Sequence, residues 1–163
     1  MQQPDKYVEG TQLNILLVED NPGDVVLFKQ ALRNSAISYS LTVATDGVQA
    51  TQMLNALPQC CSSYKPDVVF LDLNLPGKRG AEVLAEMKNN TALATIPVAI
   101  LTGSDHADDR AICTSLGANA YFNKAVVLED FAILASEIIS FLTGVMPASF
   151  SDSISFCPTI SLV

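Results

Sequence analysis

The sequence predicts an α/β fold, a doubly wound parallel sheet. Two observations carry this: strand-length apolar runs alternate five times with segments of helical period, and Gly, Pro, Asp or Asn punctuates the joins. Alternation of this kind builds βα units whose right-handed crossovers cover both faces of a sheet with helices. A chain of 163 residues is about one domain long, enough to bury a core without disulfides or structural metals.

Leu13–Val18 reads as the first buried strand, ended by the turn Glu19-Asp20-Asn21-Pro22-Gly23. A helix is expected from Asp24, with Val25, Val26, Leu27, Phe28, Ala31 and Leu32, stopping near Arg33-Asn34-Ser35. Ser40–Ala44 is the second strand, Asp46-Gly47 punctuates it, and Val48–Leu57 follows as a short helix. After a loop from Pro58 to Pro66 comes a third strand, Asp67–Leu71, then a helix from Gly80 to Asn89. Ile96–Leu101 is the fourth strand, with Pro97 near its start where a missing N–H is tolerated. Thr102-Gly103-Ser104-Asp105 would cap a helix over Ala107–Leu116, closed by Gly117 in the left-handed conformation. Ala118–Phe122 makes the fifth strand, and a last helix spans about Val127–Leu142 with a stripe of Leu128, Phe131, Leu134, Ala135, Ile138 and Leu142.

In such sheets ligands bind beyond the carboxyl ends of the strands. The residues there are Glu19, Asp20, Asp46, Asp72, Thr102, Asn123 and Lys124. In a flavodoxin-like (βα)5 arrangement, a five-stranded sheet of order 2-1-3-4-5, strands one and three are neighbours, so Glu19, Asp20 and Asp72 converge. Packed carboxylates need a compensating cation, and a hard, oxygen-ligated ion such as Mg²⁺ suits one or two carboxylates plus waters and phosphate oxygens. Lys124 adds a fixed positive charge and Thr102 a hydroxyl. A carboxylate nucleophile, a divalent metal, a lysine and a hydroxyl are the groups that phosphoryl transfer to Asp72 requires.

Composition narrows the partners. Seventeen acidic against nine basic residues give a net charge of −8, which opposes direct nucleic-acid binding. No apolar run approaches the roughly 18 residues that span a bilayer. The polar start, Met1–Gln12, lacks the features of a secretion signal, so a soluble, cytoplasmic chain is expected. Cys60, Cys61, Cys113 and Cys157 have no zinc-ligand spacing and read as reduced structural thiols, and His106 as a solvated helix start.

Glu19-Asp20, Asp72-Leu73-Asn74-Leu75-Pro76-Gly77, Thr102 and Lys124, in that order, resemble the response-regulator receivers of bacterial two-component systems. The resemblance covers about residues 13–143, leaving a polar segment over 1–12 and a tail over 144–163. It implies that Asp72 accepts a phosphoryl group from a sensor histidine kinase. It also implies that Glu19, Asp20, Asp72 and the Asn74 backbone carbonyl hold Mg²⁺, or another divalent ion such as Mn²⁺, and that Lys124 contacts the phosphoryl group. Thr102 and Tyr121 match the family's switch pair, in which the hydroxyl moves to the phosphoryl group and the aromatic ring moves inward behind it. Asn74 and Ser104 stand where the family tunes the lifetime of the phosphoaspartate. Glu19–Asp24, Leu71–Pro76, the longer loop before the third strand and the absence of an output domain resemble the small regulators that partner cyanobacterial phytochrome kinases.

One residue departs from the family. Ala125 follows Lys124 where a proline with a cis bond is usual; a cis bond before Ala125 would cost about 2.5–4 kcal/mol. Either that strain is retained, or the peptide is trans and Lys124 sits differently. Three rivals stand beside the receiver reading. A phosphatase using a strand-end aspartate needs a second aspartate two residues on, where this chain has Asn74, and an amide cannot supply the proton. A flavin-mononucleotide carrier would find its phosphate repelled by Glu19-Asp20. A pseudo-receiver, folded alike but never phosphorylated, stays open because of Ala125.

Output is expected through protein contacts, such as a downstream histidine-phosphotransfer protein. Ala132, Ile133 and Ile139 lie off the core stripe of the last helix, which predicts a homodimer through the face of the fourth and fifth helices. The tail keeps Phe150, Ile154, Phe156, Ile160 and Leu162, to pack on its own domain or to reach across a dimer.

Overall fold

The computed structural model describes residues 12–34, 38–56, 65–103, 106–124 and 155–156. Strands β1 (Leu13–Val18), β2 (Tyr39–Ala44), β3 (Val68–Leu71), β4 (Val98–Thr102) and β5 (Ala120–Asn123) are joined by helices α1 (Pro22–Asn34), α2 (Gly47–Asn55), α3 (Gly80–Asn89) and α4 (Ala107–Ser115). The five strands are parallel and follow the expected order. A sixth strand, β6 (Ser155–Phe156), pairs antiparallel with β5, Ala120 opposite Phe156 and Tyr121 opposite Ser155. The sheet therefore has six strands rather than five, and this part of the tail lies on the edge of its own sheet.

Alternation along each strand divides the core into two layers, as period-2 geometry requires. Leu13, Ile15, Leu17, Val68, Phe70, Ala99, Leu101, Ala120 and Phe122 face α1, where they meet Phe28, Ala31 and Leu32. Leu16, Val18, Val69, Leu71, Val98, Ile100 and Tyr121 face the other way, towards Ala50 and Leu54 of α2, Val83, Leu84 and Met87 of α3, and Cys113 of α4. Burial on both faces explains why the inner strands read as continuous apolar runs. Phe28 and Phe70 meet edge to face, their ring centres 4.9 Å apart.

Several element ends differ from expectation for identifiable reasons. Helix α1 starts at Pro22 because Asn21 caps it: its side-chain Oδ1 accepts from Gly23 N–H at 2.9 Å, and proline's missing N–H costs nothing in the first turn. Asp46 caps α2, accepting from Gln49 N–H at 2.7 Å, and so belongs to the helix start rather than to the site. Helix α4 begins after His106, whose side chain makes no capping bond; Ser104 and Asp105 of the expected cap lie outside the described residues. Its end is as expected: at Gly117 (φ 93°) the chain turns, with Gly117 N–H bonded to Thr114 O and Ala118 N–H to Cys113 O. That turn takes up Ala118 and Asn119, so β5 starts at Ala120. Asn119 Oδ1 accepts from Val98 N–H at 2.9 Å, setting where β4 begins.

Cys113 is free and buried, and burial, with Asp109 nearby, pushes its thiol up to about 11, as expected of a structural thiol. Cys60, Cys61, Cys157, the expected last helix and the rest of the tail lie outside the described residues. Among the described residues, no helix is long and apolar enough to cross a membrane.

Phe28→Ala removes a ring with no solvent exposure and is expected to cost about 3–5 kcal/mol. Val26→Ala, on the same helix but 52% exposed, should stay within about 0.5 kcal/mol. Urea denaturation of the two variants checks the difference.

Candidate functional site

The strand register delivers the acidic groups to one place. Val18 pairs with Leu71, so the next residues, Glu19 and Asp72, leave the sheet side by side. Both backbones are still tied to it, Asp72 N–H to Val18 O at 3.0 Å and Glu19 N–H to Ala44 O at 2.9 Å. Glu19 is 1% and Asp72 4% exposed, whereas Asp20 is exposed. One oxygen from each of these three carboxylates lies within 4.8 Å of the others. On the far side, Thr102 pairs with Asn123, which places Lys124 next to the end of β4.

Lys124 Nζ joins the two sides. It lies 2.6 Å from Asp72 Oδ2, 2.6 Å from Glu19 Oε2 and 3.0 Å from Asp24 Oδ2. The other Asp72 oxygen, Oδ1, accepts from the Asn74 backbone N–H at 3.0 Å, and Asn74 Nδ2 approaches Thr102 Oγ1 at 3.4 Å. Thr102 is fully buried. Tyr121 is inward, buried in the layer shared with α3 and α4, and the Arg110 guanidinium of α4 lies 4.9 Å from its ring centre.

Burial raises the Glu19 carboxyl above its ordinary value, opposed by Lys124 and by the Asn21 N–H, with Asp72 adding to the rise. For Lys124, burial alone would favour the neutral amine. Hydrogen bonds to Asp72, Glu19 and Asp24 outweigh that and hold the ammonium well above the usual lysine range. Lys124 is thus a permanent cation.

The arrangement suits a hard divalent ion. All the donors are oxygens, in the carboxylate-rich setting that Mg²⁺ and Mn²⁺ use. Glu19 Oε2, withdrawn from water, already meets the Lys124 ammonium at 2.6 Å, an oxygen placed to serve a cation.

The expected groups Glu19, Asp20, Asp72, Asn74, Thr102 and Lys124 therefore share one strand-end site, with Tyr121 beneath it. Asp24 joins them unforeseen; its signal was a carboxylate in the first turn of the helix that leaves the acidic loop. Lys78, beyond these groups, is largely buried between α2 and α3. Ser104, Ala125 and the peptide bond between Lys124 and Ala125 lie outside the described residues.

Residues 15–135 match the response regulator receiver domain family. The chain belongs to that family. This receiver is 39% identical to the response regulator Rcp1 of Synechocystis sp. over 137 residues, which cover 83% of the chain and 93% of Rcp1. It is also similar to the crystal structure of the phosphorylated cyanobacterial phytochrome response regulator RcpA, with a TM-score of 0.74 and 35% identity over 85% of this chain and 100% of that one. The Mn²⁺-bound form of Rcp1 matches with a TM-score of 0.72 and 38% identity over 83% of this chain and 97% of that one. The receiver is a phosphorelay acceptor related to phytochrome-associated regulators, which implies a histidine kinase partner.

Because burial raises Glu19, its ionised form weakens the metal-free fold at neutral pH. Glu19→Gln keeps the shape without the charge, and Lys124 retains two carboxylates. In EDTA at pH 7 the substitution should stabilise the receiver, read as a higher Tm than the wild type. As pH falls through the raised Glu19 value towards 4.5 the native glutamate takes up its proton, so the advantage should disappear. Thermal denaturation of both chains across this range is the measurement.

Proposed function

We propose that Asp72 is the phosphoryl acceptor of this receiver and that Glu19, Asp20, Asp72 and the Asn74 backbone carbonyl hold Mg²⁺ or Mn²⁺ beside it. The observation that carries the reading is the contact of one Asp72 oxygen with Lys124 at 2.6 Å, with Glu19 and Asp20 converging on the same carboxylate. An Asp72 oxygen attacks the phosphorus of a phosphohistidine; a P–O bond forms as the P–N bond breaks, and the imidazole nitrogen leaves with its electron pair. A bound divalent ion supplies charge neutralisation for the transferring oxygens. Lys124 and the Thr102 hydroxyl are placed to take up the remaining negative charge.

Lys124 must shift for this, because it occupies the Asp72 oxygen in the resting arrangement. Glu19 and Asp24 give the ammonium other partners over a short path. Hydrolysis of the acyl phosphate by water returns Asp72 to its starting state, and the same groups support that step. Asn74, whose amide faces Thr102, offers no general acid for repeated turnover on phosphate esters.

Thr102 and Tyr121 act as the switch pair in this reading, and the surface of α4 and β5 carries the output. The donor is a sensor histidine kinase of the cyanobacterial phytochrome type, a choice supported by the similarity to RcpA and Rcp1. A cytoplasmic homodimer through α4 and the helix expected from the sequence after β5 fits the exposed Ile112 on α4, and a histidine-phosphotransfer protein is a fitting recipient downstream.

Incubation with acetyl phosphate and Mg²⁺ should label the wild type and leave Asp72→Asn unlabelled by phosphate-affinity electrophoresis. Lys124→Ala should slow labelling by roughly 10²–10³. An unlabelled wild type would establish a pseudo-receiver instead, and label retained in Asp72→Asn would move the acceptor elsewhere. Sedimentation showing only monomer, with and without beryllofluoride, would remove the dimer.

A further inference from the structure

The loop from Leu73 to Arg79 leads from the acceptor to α3 and carries the carbonyl of Asn74. Lys78 in this loop turns inward, with its side chain 18% exposed. Its Nζ donates to Thr51 Oγ1 of α2 at 2.9 Å and meets Glu86 Oε2 of α3 at 2.6 Å. Thr51 Oγ1 in turn donates to Gly47 O at 2.9 Å, so one polar chain runs from α3 through the loop to the first turn of α2.

The loop backbone also lies close against its neighbours. A Cβ added at Gly47 would collide with the Lys78 carbonyl oxygen, so the loop lies directly on the start of α2. At the loop's far end Gly80 N–H donates to Leu73 O at 3.1 Å, and a Cβ there would collide with the Asp72 carbonyl oxygen. Close backbone approach leaves the loop little room at Lys78 and at Gly80, and the Lys78 side chain adds polar ties to both neighbouring helices. Net stability is a poor account of those ties, because ordering a lysine side chain costs conformational entropy and a pair with an exposed glutamate returns little. What they supply is position.

We propose that Lys78 is a positioning residue for the divalent cation. By tying the loop to α2 and α3, it holds the Asn74 carbonyl where that carbonyl ligates the ion. The inference rests on the metal site proposed above, and it reverses the ordinary electrostatic expectation. Removing a positive charge near a cation site strengthens cation binding through the field alone. Loss of a positioning contact weakens it.

The test is Mn²⁺ binding to the full chain, read as free Mn²⁺ by electron paramagnetic resonance, for wild type, Lys78→Met and Thr51→Val. Lys78→Met should weaken binding about tenfold, the lower end for partners that orient ligands from outside the first shell. Thr51→Val changes no charge and should weaken it in the same direction, with circular dichroism confirming that both variants are folded. Unchanged or tighter binding by Lys78→Met, beside a wild type that binds, overturns the inference alone. A wild type that binds no Mn²⁺ sinks the metal site, and the role of Lys78 with it.

Discussion

The placement of Lys124 among Asp72, Glu19 and Asp24 is the contact on which the site depends. Burial penalises the charged form of a carboxyl group, and a neutral acid is a poor nucleophile and a poor cation ligand. The ammonium keeps the cluster chargeable in the absence of metal. It does so incompletely, since Glu19 stays above its ordinary value, and this residual imbalance makes a divalent cation a favourable addition. In the proposed reaction Glu19, Asp20 and Asp72 would hold a divalent ion that shares the neutralising role, and Lys124 would be free to move towards the phosphoryl oxygens.

That contact is possible only because the sheet brings distant segments into register. Glu19 follows β1, Asp72 follows β3, and Lys124 follows β5, yet all three meet because parallel strands end at the same edge. The two apolar layers hold this edge rigid: strands buried on both faces cannot slip by one residue without turning every core side chain to the wrong layer. The charged edge weakens the fold locally, and the layers of Phe28 and Phe70 on one side and Leu84 and Met87 on the other offset that cost.

Strand and helix order was legible because period and punctuation agree along the chain, and the acidic site was legible because catalytic side chains in this architecture stand just past the strands. What escaped was decided by contacts that leave no periodic trace. Asp46 looks like any strand-end aspartate, and only its bond to Gln49 N–H assigns it to a helix cap. Pro22 read as a turn until Asn21 was seen to cap the helix it opens. Lys78 and Asp24 are charged residues in polar stretches, and long side chains take their role from what the fold places within reach. The two-residue β6 is too short for any alternation to announce it; an available edge on β5 selects it.

As the proposed switch residue, Tyr121 would have little freedom. Its backbone is paired on both sides, with Ile100 of β4 and Ser155 of β6, so motion is confined to the ring. The ring lies inward, and the Arg110 guanidinium over it contributes about 0.5–2 kcal/mol to that placement. Moving a two-state equilibrium from one side almost fully to the other takes about 5.5 kcal/mol. Arg110 can therefore bias the ring but cannot dictate its position. In the proposed reaction a phosphoryl group on Asp72 would add to the bias by drawing the Thr102 hydroxyl away from Asn74. Because Arg110 stands on α4, a change in the ring would be felt on that helix, which is how the proposed acceptor would reach the surface.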